Sequence, residues 1–377
     1  MIGFTREDTG VIAKWWRNID KQILFLFIFL LLLGLFFSFS STTSVISDKM
    51  NKQTYFFFVK HLIFVLISLI LLVFISIQEK KKLIKIFTYL FYVSIFLLFL
   101  TLLIGVEIKG SKRWLDIPGL AIRLQPIELV KPLFIIFIAK IVIENNKVNF
   151  YRRYFYSFLI LLLVILILIN QPDLGQSLLL ASAWITMIFV SGFNMIFLSI
   201  LGIFFISIIS LLVYFFPGKF GYVFNRIKTF LDPKSGDNFQ SEKALEAIKQ
   251  GGLTGQGMGE GILKDKVPEA HTDYIIAVVS EEFGAIFVLF IVIIFLLIGY
   301  KTLNKIFTSQ DEFLKLALVG LTSLLIIQTF IHLGVNIRLL PTTGMTLPFL
   351  SYGGSSLVGS SIVAGIILNF TRKDFIR

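Results

Sequence analysis

Cysteine is absent from the 377-residue chain, so no disulfide staples the fold and no redox compartment can be read from thiol usage. Charge is scarce as well: 15% of residues are Asp, Glu, Lys or Arg, against 56% hydrophobic. A water-soluble domain of this size has no use for so much apolar surface, and that class is excluded. Histidine occurs three times. His61 and His332 stand alone on apolar stretches and read as packing residues, and no His-Glu-x-x-His pair is present to hold a catalytic zinc. The glycine run from Gly251 to Gly261 lacks both a preceding strand and the Gly-Lys-Ser/Thr ending of a phosphate loop. Its glycines are read instead as letting the chain fold back closely on helix ends, where positive φ or tight backbone approach is needed. No nucleic-acid partner is expected.

What the chain does have is phenylalanine, 42 residues of it, and a mean hydropathy of +0.87. The apolar residues fall in runs of about 18 to 24, enough to cross a hydrocarbon core of about 30 Å. Backbone groups in lipid must be paired within the segment, so such runs are helices; strands of a membrane barrel would alternate in polarity. The runs centre near Leu31, Ile67, Phe96, Phe137, Val164, Trp184, Ile203, Leu289, Ser323 and Ile362. The expected fold class is therefore an all-α polytopic membrane protein of about ten transmembrane helices, with one large extracytoplasmic loop between helices 7 and 8. Its parts are a cytoplasmic N-terminal tail (1–22), a membrane domain (23–371) that includes the outer loop 218–273, and a cytoplasmic C-terminal tail (372–377). The first run is too long for a signal-peptide core and is read as an uncleaved anchor. Trp15 and Trp16, beside Lys14 and Arg17, suit an interfacial segment ahead of it.

Orientation follows from the cations of short loops. Lys80 to Lys82 with Lys85, Lys147 with Arg152 and Arg153, Lys301 with Lys305, and Arg372 with Lys373 all fall on one side when the N-terminus is cytoplasmic, and both termini then lie inside. The outer loops are basic too, carrying Arg113, Arg123, Arg226, Lys228 and Lys249 among others. Anionic lipid headgroups are one reading of that charge, and a phosphate-bearing substrate on the outer face is the other.

Ionisable residues at membrane depth are costly, about 2.5 to 3.5 kcal/mol each at the bilayer centre. Glu128 and Lys131 stand three apart in the fourth run, on one helical face, where they serve either as a packing ion pair or as the border of a polar cavity. Glu281 and Glu282 follow the outer end of the eighth run, and at least one needs a polar partner inside the bundle. Asp173 follows a proline ahead of a helical run, the place of an N-cap or of a site wall. Leu340 to Ser356 breaks the apolar pattern with prolines, glycines and hydroxyls. Irregular backbone at that depth must be buried in protein or line a wet cavity. In the outer loop, two amphipathic stretches, 224–233 and 241–250, are expected to lie on the membrane surface. Pro268-Glu269-Ala270-His271-Thr272-Asp273-Tyr274 then gathers carboxylates, an imidazole and a hydroxyl at the mouth of the eighth run. Thr272 or Asp273 there is a helix cap or, for Asp273, a general base toward a sugar hydroxyl.

Together, Lys109 to Leu115, Leu124-Gln125-Pro126 with Glu128 and Lys131, Gln171 to Gly175, Pro268 to Tyr274 followed by Glu281 to Gly284, and Leu347 to Ser356 resemble the motifs of the SEDS family (shape, elongation, division and sporulation), in family order. The resemblance runs from about Lys109 to the C-terminus; the first hundred residues match in hydropathy alone. Ile127 departs from it, standing where the family commonly has Ser. Ala270 and the Gln171 to Gln176 turn resemble the division members more than the elongation members.

The resemblance implies a ten-helix fold and a peptidoglycan glycosyltransferase that polymerises lipid II on the outer face of the bacterial inner membrane, at the division septum. It places the family's catalytic aspartate on Asp273. The expected substrate-binding residues are Arg113, Trp114, Glu128, Lys131, Arg226, Lys228, Glu269, His271, Thr272, Ser351, Gly353, Gly354 and Ser355. A divalent cation, Mg or Mn, is an expected helper, and no organic cofactor is. The expected partners are undecaprenyl-pyrophosphate-linked glycan, membrane lipids, a class B penicillin-binding protein and other divisome proteins. The rival readings are a lipid II flippase, a non-catalytic divisome scaffold and an elongation-type polymerase. Concentration of the polar motifs on one face favours an outer-surface enzyme over a flippase.

Overall fold

The long apolar runs close into helices, which pair every backbone group internally. A computed structural model describes residues 10–42, 56–108, 110–117, 119, 122–144, 150–232, 238–263 and 266–373. Its helices are α1 (Val11–Asn18), α2 (Lys21–Thr42), α3 (Phe56–Ile77), α4 (Lys80–Ile104), α5 (Pro126–Glu144), α6 (Phe150–Asn170), α7 (Leu174–Val190), α8 (Met195–Phe215), α9 (Pro217–Leu231), α10 (Phe239–Gly251), α11 (Ile275–Thr308), α12 (Glu312–Asn336) and α13 (Gly354–Thr371). Each of the ten expected centres falls on one of them. Among the described residues, α2, α3, α4, α6, α11, α12 and α13 are long and apolar enough to cross a membrane, seven in all. The other three centres lie on α5, which carries the Glu128–Lys131 pair, on the 17-residue α7, and on α8.

Helices α5, α12 and α13 form the centre of the bundle. α13 packs on α3 and α5, and α12 packs on α7, α11 and α5. Phe134, Ile135, Ile138, Leu321, Leu324, Ala364 and Ile367 are among the wholly buried side chains there. Phe25, Phe74, Phe96, Phe155 and Leu289 point outward instead, as a lipid-facing surface requires. Trp15 of α1 is buried, and its indole N–H donates to Ser76 Oγ at 2.9 Å, so the N-terminal amphipathic helix docks on the bundle.

The outer segment before α5, read from the sequence as a basic outer loop, is locally ordered. Three short antiparallel strands form in the order β1–β2–β3: β1 (Val106–Ile108), β2 (Ser111–Ile117) and β3 (Ile122–Leu124). Gly110, at φ 75, turns the first pair, and Val106 lies opposite Trp114.

The second outer-loop helix, α10, is not a surface helix. Ser241, Ala244, Ala247 and Gly251 are buried, and the helix packs along α11. A Cβ on Gly251 would collide with the Ser280 carbonyl, so only glycine permits this approach. The glycine run then continues beside the first third of the apolar helix, a few turns in from the end where close approach was expected. Gly284 breaks α11 with φ 81 and ψ 173, and the loop fills the break. Gln256 and Gly257 N–H donate to the carbonyls of Glu281 and Glu282 at 2.9 and 3.0 Å, and Ala285 N–H donates to Gly252 O at 3.0 Å. The two glutamate carboxylates find their polar partners here, accepting from Leu263 N–H at 2.8 Å and Gly259 N–H at 3.2 Å respectively. Backbone amides of a folded-back loop thus take the place of a partner helix.

The bundle has two distinct ends. At one, Lys373 N–H donates to Asn18 O at 3.0 Å, Arg372 donates to Ser76 and Ile77 carbonyls, and Lys301 reaches Gln22. At the other, where α11 starts, the β-strands, the α6–α7 turn, the 268–274 segment and the chain after α12 gather.

Candidate functional site

These four segments converge where α11 begins. The 268–274 segment is pinned to the irregular stretch before α13: Ser351 Oγ donates to Thr272 O at 2.7 Å and accepts from Leu347 N–H at 2.9 Å, while Tyr352 N–H donates to His271 O at 2.9 Å. Asn336 Nδ2 donates to the Asp273 carbonyl at 3.2 Å, tying the same segment to α12. The residue at the N-cap of α11 is Tyr274, one past Asp273, and its side chain makes no capping bond. The Thr272 hydroxyl donates to the Glu269 carboxylate at 3.1 Å.

Asp273 and Arg113 approach one point. A Cβ built on Gly344 would lie 3.6 Å from Asp273 Oδ2 and 3.9 Å from Arg113 Nη1. Gly344 has φ 67, a conformation that glycine adopts without strain, and its missing side chain leaves room between the carboxylate and the guanidinium. Arg113 is held by the α6–α7 turn: Nε donates to Gln171 O at 3.1 Å and lies 3.6 Å from Asp173 Oδ2, and Nη2 donates to Pro172 O. Asp173 also caps α7, accepting from Gln176 N–H at 3.4 Å, so the cap and the site wall are the same residue.

The electrostatics follow from burial among these charges. Burial pushes the Asp173 carboxyl above the usual carboxylate range, with Arg113 and the Gln176 N–H pulling it part of the way back. Burial lowers the Arg226 guanidinium on α9, as does repulsion from Arg113, against the pull of Asp173, Tyr222 and Asp273. The Tyr222 phenol rises to about 12 through burial. Tyr274 rises through burial and the neighbouring Asp273 charge.

Toward the bundle interior, Lys131 Nζ meets Glu128 Oε2 at 2.8 Å, Gln176 Nε2 donates to Glu128 Oε1 at 3.1 Å, and Lys131 donates to Gln328 Oε1 at 3.1 Å. Gln328 Nε2 in turn donates to Thr346 O at 2.9 Å. The pair is thus a buried node that supports the backbone carrying Gly344.

The other expected site residues are placed as follows. The His271 ring packs between Phe57 and Tyr352, with centroids 5.9 and 5.7 Å away. Trp114 lies half-buried in β2, and Lys228 is exposed on α9. Ser355 Oγ accepts from Gln125 N–H at 3.0 Å and donates to Arg123 O at 3.2 Å, joining α13 to the start of α5. Gly353 is extended, and Gly354 presses against the Phe64 ring. His332 Nδ1 lies 2.8 Å from Met345 O, a packing role as expected. Gln176 and Gln328 were not read as site residues; both stand on apolar helices, a signal the residue pattern carried. Among the described residues, no group of three or more His, Cys, Asp or Glu converges as a metal cage.

Apolar helices around a buried ion-pair node, with charged side chains meeting on irregular backbone at one end, define a polytopic membrane protein with a polar site at one surface. The profile of the Cell cycle protein family of FtsW, RodA and SpoVE matches residues 21–375, and the chain belongs to that family. It is similar to the Probable peptidoglycan glycosyltransferase FtsW of Caulobacter vibrioides, with 31% identity over 370 residues, covering 98% of this chain and 93% of the relative. The protein of the same name from Geobacter metallireducens is 36% identical over 278 residues, 72% of each chain. The resemblance to division members agrees with these names. Two solved structures share the fold. One is of a peptidoglycan synthase complex coordinating polymerization and crosslinking, with a TM-score of 0.75 and 24% identity over 94% of this chain and 97% of that one. The other is the rod shape determining protein RodA of Thermus thermophilus, with a TM-score of 0.69 and 23% identity over the same shares.

Proposed function

We propose that this protein is a peptidoglycan glycosyltransferase that polymerises lipid II at the outer face of the bacterial cytoplasmic membrane, in septal wall synthesis. The observation that carries the reading is the convergence of the Asp273 carboxylate and the Arg113 guanidinium on the open space at Gly344. The names of the FtsW relatives support the same activity.

In this reaction Asp273 takes the proton from the acceptor sugar's 4-hydroxyl as that oxygen attacks the donor's anomeric carbon. The new β-1,4 bond forms as the bond from that carbon to the diphosphate oxygen breaks, and the undecaprenyl diphosphate leaves with the electron pair. A positioned base contributes about 10²- to 10⁴-fold. Arg113 and Arg226 supply fixed positive potential for the charge that develops on the leaving group. Glu128 and Lys131 hold the Thr346 backbone through Gln328 and act on the site through it. Mg or Mn would bind through one or two carboxylates together with substrate phosphates, and would offset charge on the leaving diphosphate.

The proposed location is the inner membrane with both termini cytoplasmic, and the proposed partner is a class B penicillin-binding protein. The synthase complex that shares the fold couples polymerization to crosslinking, which supports such a pairing. Purified protein, alone and with its transpeptidase, is mixed with labelled lipid II. Glycan chains from the wild type and at least about a hundredfold loss in Asp273→Asn are expected. Normal polymerisation by Asp273→Asn, or lipid II scrambling in liposomes without polymer, would overturn the reading.

A further inference from the structure

Helix α4 ends at Ile104, and the ribbon that carries Arg113 starts two residues later, at Val106. Thr101, in the last turn of α4, is wholly buried and holds two elements at once. Its carbonyl accepts from Gly105 N–H at 3.0 Å, which fixes the exit of the chain toward β1. Its hydroxyl donates to Leu98 O at 2.6 Å, leaving the oxygen's lone pairs for an outside donor. That donor comes from the α6–α7 turn. Gln171 Nε2 donates to Thr101 Oγ and also to Leu98 O, the latter at 3.1 Å, one amide hydrogen for each acceptor. The Gln171 residue is 1% exposed, so its carboxamide is committed to α4 and not to solvent.

The backbone of Gln171 serves the site. Its carbonyl accepts from Arg113 Nε at 3.1 Å, and Asp173 Oδ2 lies 3.6 Å from the same nitrogen. The contacts close a ring: Thr101 to Gln171 through side chains, Gln171 to Arg113 through a carbonyl, and Arg113 back to Thr101 along β2 and β1. We infer that Thr101 and Gln171 are positioning residues for polymerisation, a clasp that fixes the spacing of ribbon and turn and so aims the Arg113 fork at the space by Gly344. The inference rests on the glycosyltransferase reading, in which that fork faces the charge developing on the leaving group. A guanidinium on a long stem reaches many places, and a misplacement of about 1 Å at such a group is worth about 10²-fold in rate. Packing alone does not call for this pair. Two apolar side chains would fill the same buried space without desolvating an amide and a hydroxyl. What the polar pair adds is direction, because satisfied donors and acceptors hold the turn in one register against α4.

Full-length protein in nanodiscs is assayed with labelled lipid II. Thr101→Val removes the hydroxyl at nearly constant volume, and Gln171→Met removes the amide. Each should lower kcat about tenfold or more while KM for lipid II stays within about twofold, because the interaction lost is made in the transition state. Thr101→Ser keeps the hydroxyl and should keep kcat. In an Arg113→Lys background, which has no fork to aim, Thr101→Val should cost less than about twofold. Thr88→Val removes a similar hydroxyl, bonded to Ile84 O at 2.8 Å earlier on the same helix, and should leave the rate unchanged. Because the chain has no cysteine, spin labels at Lys112→Cys and Asn170→Cys, exposed on the ribbon and beside the turn, read the spacing directly. The distance distribution should broaden in Thr101→Val and stay narrow in Thr101→Ser. Wild-type kcat or an unchanged distance distribution in Thr101→Val overturns the inference. So does an equal fold loss in the wild-type and Arg113→Lys backgrounds, the mark of a packing role. Thr101-dependent spacing in a protein whose wild type makes no polymer would sink the glycosyltransferase reading and leave the clasp standing.

Discussion

The Glu128 carboxylate and the Lys131 ammonium meet at 2.8 Å with 2% and 3% of their side-chain surfaces exposed. Breaking such a pair from one side leaves a buried charge behind, at a cost of about 3 to 5 kcal/mol, whereas replacing both partners costs much less. Lys131→Met alone should therefore lower the thermal midpoint in detergent more than Glu128→Gln with Lys131→Met together. Additive losses in that double-mutant cycle would mean that the two side chains act independently.

Gly255 and Gly284 should tolerate no side chain. A Cβ on Gly284 would lie 2.5 Å from the Gly255 N and collide with Leu253 O, and one on Gly255 would collide with Glu282 O; both residues have positive φ. Backbone on each side leaves nothing to give way. Gly284→Ala and Gly255→Ala should each cost more than about 2 kcal/mol. Gly218→Ala, with open space around it, should be neutral within about 0.5 kcal/mol. Thermal unfolding followed by tryptophan fluorescence compares them.

Arg113→Lys keeps the charge and loses the fork. Arg113 serves the Gln171 and Pro172 carbonyls and Asp173 at once, and a point-charge ammonium cannot reproduce that geometry. Polymerisation should fall at least about tenfold, with stability down by about 1 to 3 kcal/mol for the buried acceptors left unpaired. Wild-type rates in Arg113→Lys would show that positive charge alone is enough at this position.

Stability should carry a pH signature from Asp173. Because burial raises its pKa above that of the unfolded chain, the native state keeps the proton to higher pH. The contribution is complete below the ordinary carboxylate value near ~3.9 and is lost as pH rises through the raised native value. Asp173→Asn needs no ionisation, so its midpoint relative to wild type should improve as pH climbs through that window. A relative gain by the wild type over the same window would mean that the Arg113 attraction outweighs burial.

The helices were legible because an apolar run long enough for a bilayer admits one backbone solution. The strands were not. β1 and β3 are three residues each in a segment whose charges and glycines give no clear alternation, and pairing with neighbours decides them. Asp273 and Arg113 were readable as chemistry-bearing types in recognisable motifs, but their meeting at Gly344 depends on loops far apart in the chain. The glycine run announced close backbone approach without naming its target, since the break at Gly284 hides inside a continuous apolar stretch.

The loop that fills the break in α11 also changes what solvent exchange would report. Ala285 and Ile286 donate their amide hydrogens to Gly252 and Leu253 carbonyls instead of to the preceding helical turn. Deuterium uptake at these two amides therefore reads whether the loop is seated, not whether the helix is intact. With the rest of α11 shielded by lipid and its own ladder, they are a built-in gauge of a docking event one helical stretch away from the proposed base.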